Sequence, residues 1–297
     1  MLRILKQRSF INGKVFSLAC NDSKKIESTI TCLPLHTELR GINKNSRDNR
    51  VKSYKENFDY WDEKVMIGLS TQSGCPVMCK FCEVNNLTKK QGWRNLTTEE
   101  IFEQYKIMLE QIKEIKKDFH KPELFRILMT RMGEPSYNID NLISAIMMIL
   151  DDVKDKYGQN YISNNLRIQI STIGIRESEL LVDKLMELED SLNNYNLFEL
   201  QFSIHSTDMN FRRWLQNKNV LTNTEINKII EKFYFKAPRK WKVTLNFTLT
   251  NKTPFSIKDL KRQFNPECVF IKLSPLNENN TSSENHLLTI IPQYNKI

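Results

Sequence analysis

One segment of the chain reads Val65-Met66-Ile67-Gly68-Leu69-Ser70-Thr71-Gln72-Ser73-Gly74-Cys75-Pro76-Val77-Met78-Cys79-Lys80-Phe81-Cys82. Its first seven residues are mostly apolar or small, which predicts a buried β-strand over residues 65–71. The strand leads into a loop that carries Cys75, Cys79 and Cys82 with Cys-x3-Cys-x2-Cys spacing. A 4Fe-4S cluster has four irons, and Cys thiolates are their usual ligands. Three thiolates in one loop therefore predict a cluster with one iron open to a small molecule.

A structural zinc site is the main alternative for this loop. Structural zinc takes four ligands, commonly as two separated cysteine pairs. The other cysteines of the chain, Cys20, Cys32 and Cys268, stand alone in the sequence. The spacing favours the cluster, with zinc, a disulfide and a chance arrangement as the competing interpretations.

The cysteine spacing and its setting resemble the radical S-adenosylmethionine superfamily. The resemblance implies that the open iron binds the amino and carboxylate groups of S-adenosylmethionine. It also implies an external electron donor, similar to a flavodoxin or ferredoxin, and reductive cleavage to methionine and a 5′-deoxyadenosyl radical. In such enzymes the cofactor carries the hard chemistry, and the protein positions the substrate.

Charge and composition indicate the compartment and the kind of partner. The 297 residues include 44 Lys plus Arg and 35 Asp plus Glu, for a formal net charge of +9. This charge fits RNA or a phosphorylated ligand, and a Lys-rich solvated surface explains it equally well. Thiolates and a reduced cluster need a reducing compartment, so we predict a cytoplasmic protein. The N-terminal residues offer no apolar stretch long enough for a signal peptide, and the chain has no run of ~18 apolar residues, so we predict no membrane span. The sequence leaves the oligomeric state open.

From residue 65 onward, short β-rich runs alternate with amphipathic helical segments, which is typical of βα units around a parallel sheet. Strands are predicted at residues 65–71, 124–130, 166–172, 198–205, 242–250 and 268–274. Helices are predicted after a Thr97–Glu100 capping box and at residues 142–150, 177–188, 223–234 and 256–264. Six parallel strands make an open arc. The predicted fold is therefore α/β, a partial (β/α)6 barrel of the radical SAM type with a small N-terminal β-rich extension.

The first 60 residues form a separate part of this prediction. Alternating patches at residues 10–16 and 26–32 predict a small antiparallel β element. A basic loop follows, with Arg40, Lys44, Arg47, Arg50, Lys52 and Lys55. It is interpreted either as a phosphate contact or as a solvated linker. The predicted domains are the extension and basic loop over residues 1–60 and the partial barrel over residues 61–297.

The carboxyl ends of the predicted strands carry the candidate cofactor contacts, because barrel active sites are built there. Gly133 and Glu134 follow the second strand in Met132-Gly133-Glu134-Pro135. Glycine lets the backbone approach a ligand closely, and a carboxylate can accept from an ammonium group. In the superfamily the matching Gly-Glu-Pro segment contacts the amino group of S-adenosylmethionine. The resemblance implies that role for both residues.

Polar residues close the later strands. Ser171 ends the third strand and Ser203-Ile204-His205 ends the fourth, where hydroxyl groups suit a ribose or a carboxylate and strand-end capping is the alternative. His205 is interpreted as a cofactor contact rather than a proton carrier, or else as a structural histidine. Asn277 follows the sixth strand, where an amide could bind the adenine edge. The predicted cofactor contacts are Gly133, Glu134, Ser171, Ser203, Ile204, His205 and Asn277, and no residue is assigned as catalytic.

A larger set of motifs carries a closer resemblance: Ser70-Thr71-Gln72-Ser73-Gly74-Cys75, Phe81-Cys82, Trp93-Arg94-Asn95-Leu96-Thr97, Met132-Gly133-Glu134-Pro135, Ser171-Thr172, Ser203-Ile204-His205 and Leu276-Asn277. Together they resemble the radical S-adenosylmethionine adenine methyltransferases that modify 23S ribosomal RNA and tRNA at C2 or C8 of adenine. The likeness covers about residues 65 to 277.

Two cysteines of that branch lack counterparts here. The branch uses one cysteine seven residues before the first cluster cysteine and another near its C-terminus to carry a methyl group and resolve the protein–RNA adduct. The first position is Gly68, and no cysteine follows Cys268. Glycine offers no thiolate, so the sequence argues against methyl transfer by that route. We also expect the helical N-terminal RNA-binding domain of the branch to be missing.

Three functions follow from this sequence. The favoured one is a radical enzyme that abstracts hydrogen from an unidentified nucleoside, nucleotide, peptide or small metabolite. The second is an RNA adenine methyltransferase that uses a variant methyl-transfer route. The third is a non-catalytic relative that binds RNA or another ligand.

Overall fold

A computed structural model describes residues 1–35, 59–216 and 218–291. Within these residues nine strands form one sheet in chain order, and β5 (Gln72–Ser73) and β6 (Arg94–Asn95) form a short separate ribbon. Its parallel part consists of β4 (Lys64–Leu69), β7 (Leu124–Met129), β8 (Leu166–Thr172), β9 (Phe198–Ser203), β10 (Val243–Thr248) and β11 (Val269–Ser274). The predicted α/β class and all six predicted parallel strands are confirmed. The sheet is open in the described residues, with no pairing between its first and last strands.

The N-terminal part extends the same sheet. Its strands are β1 (Arg3–Phe10), β2 (Gly13–Ala19) and β3 (Lys25–Leu33). β2 pairs antiparallel with both β1 and β3. β3 then pairs antiparallel with β4, with Thr29 opposite Gly68. The predicted antiparallel element is thus present and joined to the parallel strands, while the division at residue 60 stays a prediction. The predicted basic loop, Arg40 to Lys55, lies outside the described residues.

Helices connect the parallel strands. They are α1 (Val84–Gln91), α2 (Thr98–Ile115), α3 (Ile139–Tyr157), α4 (Gln159–Asn165), α5 (Ser178–Leu192), α6 (Met209–Leu215), α7 (Asn223–Phe235), α8 (Ile257–Gln263) and α9 (Asn280–Glu284). The predicted Thr97–Glu100 capping box is present: the Glu100 N–H donates to Thr97 Oγ1 at 3.2 Å, and the Thr97 N–H donates to Glu100 Oε2 at 3.0 Å. The sequence did not predict α1, α4, α6 and α9. These helices are short and offer few apolar residues at helical spacing.

The two faces of the parallel strands differ in chemistry. Alternate residues such as Ile127, Ile168 and Ile170 are fully buried and form one hydrophobic cluster with the buried faces of the helices. The intervening residues include Arg126, Gln169, Ser171, Gln201, Ser203 and Asn246. We call the face that carries this second set the polar face. Because side chains alternate along a strand, helices on one side leave the other side open to a ligand.

None of the helices described is long and apolar enough to cross a lipid bilayer.

Candidate active site

The cysteine loop begins just beyond the carboxyl end of β4. Gly74 precedes it with a φ of 76°, and a Cβ there would lie 2.6 Å from the Gly92 carbonyl oxygen. Glycine is therefore required for this turn. Helix α1 holds the loop from one side, since Thr88 Oγ1 accepts from the Cys75 N–H at 2.9 Å and Asn85 Nδ2 donates to the Cys79 carbonyl at 2.8 Å.

The three loop cysteines are free thiols and are partly exposed. Burial raises the pKa of Cys75 to about 12 and also raises the pKa of Cys82. For Cys79, burial raises the pKa most, followed by the charges of Cys82 and Cys75. The charges of the two other loop thiols thus add to the effect of burial on the pKa of Cys79. Metal binding would deprotonate them, because thiolates are the ligands.

These thiols fit the cluster by the chemistry of their donor set. Three sulfur ligands on one loop suit an iron–sulfur cluster with an open iron. Within the described residues no three His, Cys, Asp or Glu side chains are placed to hold a single metal ion. Cys20, Cys32 and Cys268 are buried elsewhere, where burial raises the pKa of each thiol. The spacing of Cys75, Cys79 and Cys82 therefore assigns the cluster to this loop.

A C-terminal segment holds the loop from the other side. Asn279 Nδ2 donates to the Phe81 carbonyl and Asn285 Nδ2 donates to the Lys80 carbonyl, both at 3.0 Å. Phe81 also packs against a small apolar cluster that includes Leu276. The sequence did not predict these contacts, because partners about 200 positions apart leave no local pattern.

The segment after β7 approaches the start of the cysteine loop. Gly133 has a φ of 105°, and a Cβ there would lie 2.7 Å from Gln72 Cβ. The Glu134 N–H donates to Gln72 Oε1 at 2.8 Å. This close approach explains why glycine stands at position 133.

The Glu134 carboxylate lies inside the protein and is 2% exposed. It accepts from the Thr172 hydroxyl at 2.5 Å, the Ser136 N–H at 3.1 Å and the Ile173 N–H at 3.0 Å. Burial raises its pKa, and these hydrogen bonds oppose that shift. Thr172 belongs to the helix-packed side of β8. The carboxylate therefore braces the ends of two strands, and its contact with an ammonium group stays a prediction.

Ser171 and Ser203 lie on the polar face at the carboxyl ends of their strands. Gln201 Nε2 donates to Ser171 Oγ at 2.9 Å. Ser203 is paired in register with Asn246, whose Oδ1 accepts from Ser274 Oγ at 2.7 Å. These side chains form a row of hydroxyl and amide groups across four strands. Such a row suits a sugar or a carboxylate.

Ile204 and His205 turn inward from the end of β9. Their N–H groups donate to the Asn246 carbonyl at 3.0 and 3.1 Å. Ile204 is fully buried and His205 is 3% exposed. Both residues are thus tied to β10 through the backbone.

The His205 ring links this strand end to the cysteine loop. Its Nδ1 accepts from the Thr248 N–H at 2.9 Å, and its ring centroid lies 4.9 Å from that of Phe81. Burial, and then the charge of Arg212, lower the pKa of His205 to about 3. A neutral ring that accepts at Nδ1 carries its proton on Nε2. His205 is therefore a neutral donor next to the cysteine loop.

A buried cation holds the neighbouring turns together, and the sequence did not single it out. Arg212 on α6 is fully buried and donates to the carbonyls of Ile173 at 2.6 Å and Leu221 at 2.7 Å, and to Asn223 Oδ1 at 2.7 Å. Burial lowers its pKa to about 9. The side chain fixes the turn after β8, so its role is structural.

Asn277 is exposed beyond the end of β11. Its carbonyl accepts from Asn279 Nδ2, the amide that also reaches the Phe81 carbonyl. One amide, that of Asn279, therefore connects the Asn277 backbone to the cysteine loop. All seven predicted contacts lie at or just beyond the carboxyl ends of the parallel strands, and His205 contacts Phe81 of the cysteine loop. The Glu134 carboxylate is directed toward Thr172 and Ile173.

Gly68 is enclosed near the end of β4. A Cβ there would lie 2.9 Å from Arg131 Cδ and would also meet Thr29 Oγ1. Arg131 pairs with Glu27 on β3. A side chain at position 68 would therefore have to displace the Arg131 and Thr29 side chains.

Comparisons with known proteins show which family the chain resembles. The family model for the Radical SAM superfamily matches residues 69–234. A probable dual-specificity RNA methyltransferase RlmN from Dictyoglomus turgidum is 30% identical over 219 residues, covering 71% of this chain and 54% of the relative. The dual-specificity RNA methyltransferase RlmN from Buchnera aphidicola is 29% identical over 195 residues, covering 64% of this chain and 48% of the relative. The chain thus spans about half the length of the curated relatives it matches.

A solved structure shares the fold. A radical SAM methyltransferase from Sphaerobacter thermophilus superposes with a TM-score of 0.63 at 18% identity, covering 93% of this chain and 67% of that one. The superfamily match spans more than half of the 297 residues and includes the cysteine loop and strands β7 to β9. The chain belongs to the radical SAM superfamily, near its RNA methyltransferase branch.

Proposed function

We propose that this chain is a radical enzyme that cleaves S-adenosylmethionine reductively and abstracts hydrogen from a substrate bound on the polar face. Membership in the superfamily implies an enzyme with a 4Fe-4S cluster and S-adenosylmethionine as cofactors. The observation that carries the proposal is the set of three free thiols on one loop at the carboxyl end of the first parallel strand. Active sites of parallel barrels are built at this end of the strands.

Cys75, Cys79 and Cys82 would hold the cluster. When bound, the cluster and S-adenosylmethionine supply a 5′-deoxyadenosyl radical and methionine after one electron breaks the C5′–S bond. The work of the chain is to hold this group, orient the substrate and exclude water. Phe81 and its apolar neighbours support the exclusion of water from one side of the loop.

The strand ends would bind S-adenosylmethionine. Gly133 offers backbone at a close approach, and Ser171 and Ser203 offer hydroxyl groups on the polar face. Ile204 is fully buried and precedes the neutral donor His205 in the chain. Asn277 and Glu134 remain candidate contacts for the adenine and the amino group. An external electron donor would reduce the cluster, and we propose a cytoplasmic location for this oxygen-sensitive chemistry.

Anaerobic reconstitution tests the proposal. We expect purified protein loaded with iron and sulfide to convert S-adenosylmethionine to 5′-deoxyadenosine and methionine after reduction with dithionite, as measured by liquid chromatography and mass spectrometry. Protein that holds four irons, binds S-adenosylmethionine and never forms 5′-deoxyadenosine would instead be a non-catalytic relative. Zinc in place of iron would contradict the proposal at its first step.

RNA adenine methylation is a second candidate function. The names of the relatives support it, because the two relatives compared above are RNA methyltransferases. Gly68 weighs against the thiol route of that branch, because glycine offers no thiolate, and the Arg131 and Thr29 side chains lie beside it. A variant route would be needed. Mass spectrometry of rRNA and tRNA from a deletion strain would show a lost adenine methyl mark if this candidate is correct, and an unchanged set of marks would remove it.

A further inference from the structure

The polar face carries a cluster of cations below the strand ends. They are Lys64 on β4, Arg126 on β7, Arg167 on β8 and Lys272 on β11. Glu199 on β9 is the one acidic side chain on this face of the six described parallel strands. We call these five residues the cationic cluster. Its formal charge is +3 without a ligand.

Hydrogen bonds and burial place the centre of the cluster on this face. Arg126 Nη2 donates to Gln169 Oε1 at 2.9 Å and pairs with Glu199. Arg167 is 5% exposed, and its Nη groups donate to the Leu166 and Asn164 carbonyls. The Nε atoms of Arg126 and Arg167 are buried and have no hydrogen-bond partner in the part of the chain that the structure describes. A buried donor without an acceptor is costly, so a further acceptor with negative charge would stabilise these two guanidinium groups.

The outer members of the cluster approach Arg126 from both sides. Desolvation, and then the charge of Arg126, lower the pKa of Lys64 and of Lys272. Four strand spacings separate β7 from β11, or about 19 Å in a flat sheet. Lys272 is thus the outermost member, whereas Arg126 and Glu199 pair across the two spacings from β7 to β9. The polar face therefore carries cations on both sides of the Arg126–Glu199 pair.

We propose that the cationic cluster binds a phosphate group of the substrate. This inference rests on the proposed function, because it takes the polar face as the substrate site, and it names the substrate class as small molecules that carry a phosphate. A phosphate bears about −1.5 to −2 charges at pH 7, which matches the surplus better than one carboxylate does. Guanidinium groups also bind phosphate oxygens in bidentate geometry. Glu199 holds Arg126 in place and limits the affinity.

The depth of the cluster suits such an anchor. Arg167 lies four residues before Ser171 on β8, or about 13 Å below the strand end. A substrate held by its phosphate there would extend up the polar face toward the row of Ser171 and Ser203. The reacting carbon would then lie near the proposed S-adenosylmethionine contacts. A free nucleotide has this extended shape, with its charge at one end.

Calorimetric titration of the reconstituted full-length chain tests the inference, with pyrophosphate, AMP and adenosine as probes at low salt. We expect pyrophosphate and AMP to bind and adenosine to bind much more weakly. Lys272→Met should weaken AMP binding about fivefold, and Glu199→Gln should strengthen it by a similar factor, from the loss of one charge at partly screened range. Lys258→Met removes the same charge from the exposed surface of α8 and should change nothing.

Several outcomes would overturn the inference. They are no binding of pyrophosphate or AMP at millimolar concentration, equal effects of Lys272→Met and Lys258→Met, and succinate binding as tightly as pyrophosphate. Binding of a short RNA without binding of AMP would also overturn it. Cleavage of S-adenosylmethionine is measured separately. Phosphate binding without cleavage would contradict the proposed function alone, and cleavage without phosphate binding would contradict this inference alone.

Discussion

The helix-packed face and the polar face of the parallel strands are built from alternate residues of the same segments. On β8, Ile168 and Ile170 are fully buried among the helices, whereas Gln169 and Ser171 are partly exposed and hydrogen-bond to the neighbouring strands. Burial of apolar area supplies the free energy that stabilises the fold, about 25 cal/mol per Å². The polar face contributes less to stability.

This difference shows how one sheet separates folding from chemistry. The polar face keeps an excess of cations and a row of hydroxyl and amide groups, which a face required for packing could not tolerate. The cysteine loop lies at the end where both faces finish. Changes on the helix-packed side should therefore lower stability, and changes on the polar side or in the loop should lower function.

Loss of one cluster cysteine should show the largest loss of function with the smallest loss of stability. We expect Cys79→Ala to remove iron and sulfide from the protein and to reduce formation of 5′-deoxyadenosine to background, because a loop with two thiolates cannot hold the cluster. The thermal unfolding midpoint of the apo-protein should change little. Cys268→Ala, a free cysteine outside the loop, is the matched control and should retain its iron. Full iron content in Cys79→Ala would contradict the assigned ligands.

Two adjacent residues of β8 test the two faces directly. Ile168→Ala should lower the free energy of unfolding by about 2–5 kcal/mol, because it leaves a cavity in the core. Gln169→Ala should lower it by about 1 kcal/mol, since it loses one hydrogen bond to Arg126. Urea unfolding of both variants measures this. Equal losses would break the distinction between the faces.

The buried His205 predicts how stability responds to acid. Its pKa is lowered to about 3 in the folded protein by burial and by Arg212, against about 6.5 when unfolded. Below pH 6.5 the unfolded chain binds a proton at His205 that the folded protein does not bind. The free energy of unfolding should therefore be unaffected by this histidine above pH 6.5 and should fall as pH falls toward 3, by up to about 1.4 kcal/mol per pH unit.

His205→Asn supplies the comparison for this prediction. Asparagine tolerates the positive φ of 61° and keeps an acceptor for the Thr248 N–H, but it does not titrate. Urea unfolding of the apo-proteins at pH 7, 6 and 5 measures this. Between pH 7 and pH 5 the free energy of unfolding should fall less for the variant than for the unchanged protein. Parallel losses in both proteins would show that His205 is protonated when folded.

The smallest effect concerns the amide that holds the cysteine loop. Asn279→Asp keeps the oxygen that caps α9 but replaces the amide that donates to the Phe81 carbonyl. Loss of one hydrogen bond, about 1 kcal/mol, should raise hydrogen exchange of the loop amides about fivefold in the apo-protein. Mass spectrometry of a peptide spanning residues 75–82 measures this. Asn280→Asp adds the same charge at an exposed neighbour and should leave the exchange unchanged.

Much of the fold could be predicted because its signals are local. The strand at residues 166–172 matches its predicted bounds, and the capping box at Thr97 and Glu100 is present. An apolar run, a helix cap and a cysteine spacing each depend on residues that lie within a few positions of one another in the sequence. The short helices α4 and α9 were missed because tertiary contacts, rather than periodicity, stabilise them.

The site was predicted in outline only. Sequence placed the candidate contacts at strand ends, but it could not show that the Glu134 carboxylate lies behind the strands or that Gly68 is enclosed by Arg131. It also missed the amides of Asn279 and Asn285. These facts depend on side-chain direction and on partners distant in the chain.

Spacing alone specified three thiolates on one loop and six strands of a parallel sheet, because ligand number and side-chain periodicity are properties of neighbouring residues. Tertiary packing decided which carboxylate is satisfied by the protein, which side chains lie against Gly68 and which cations share the polar face. Such properties arise only when packing and burial bring remote residues together and remove the water between them.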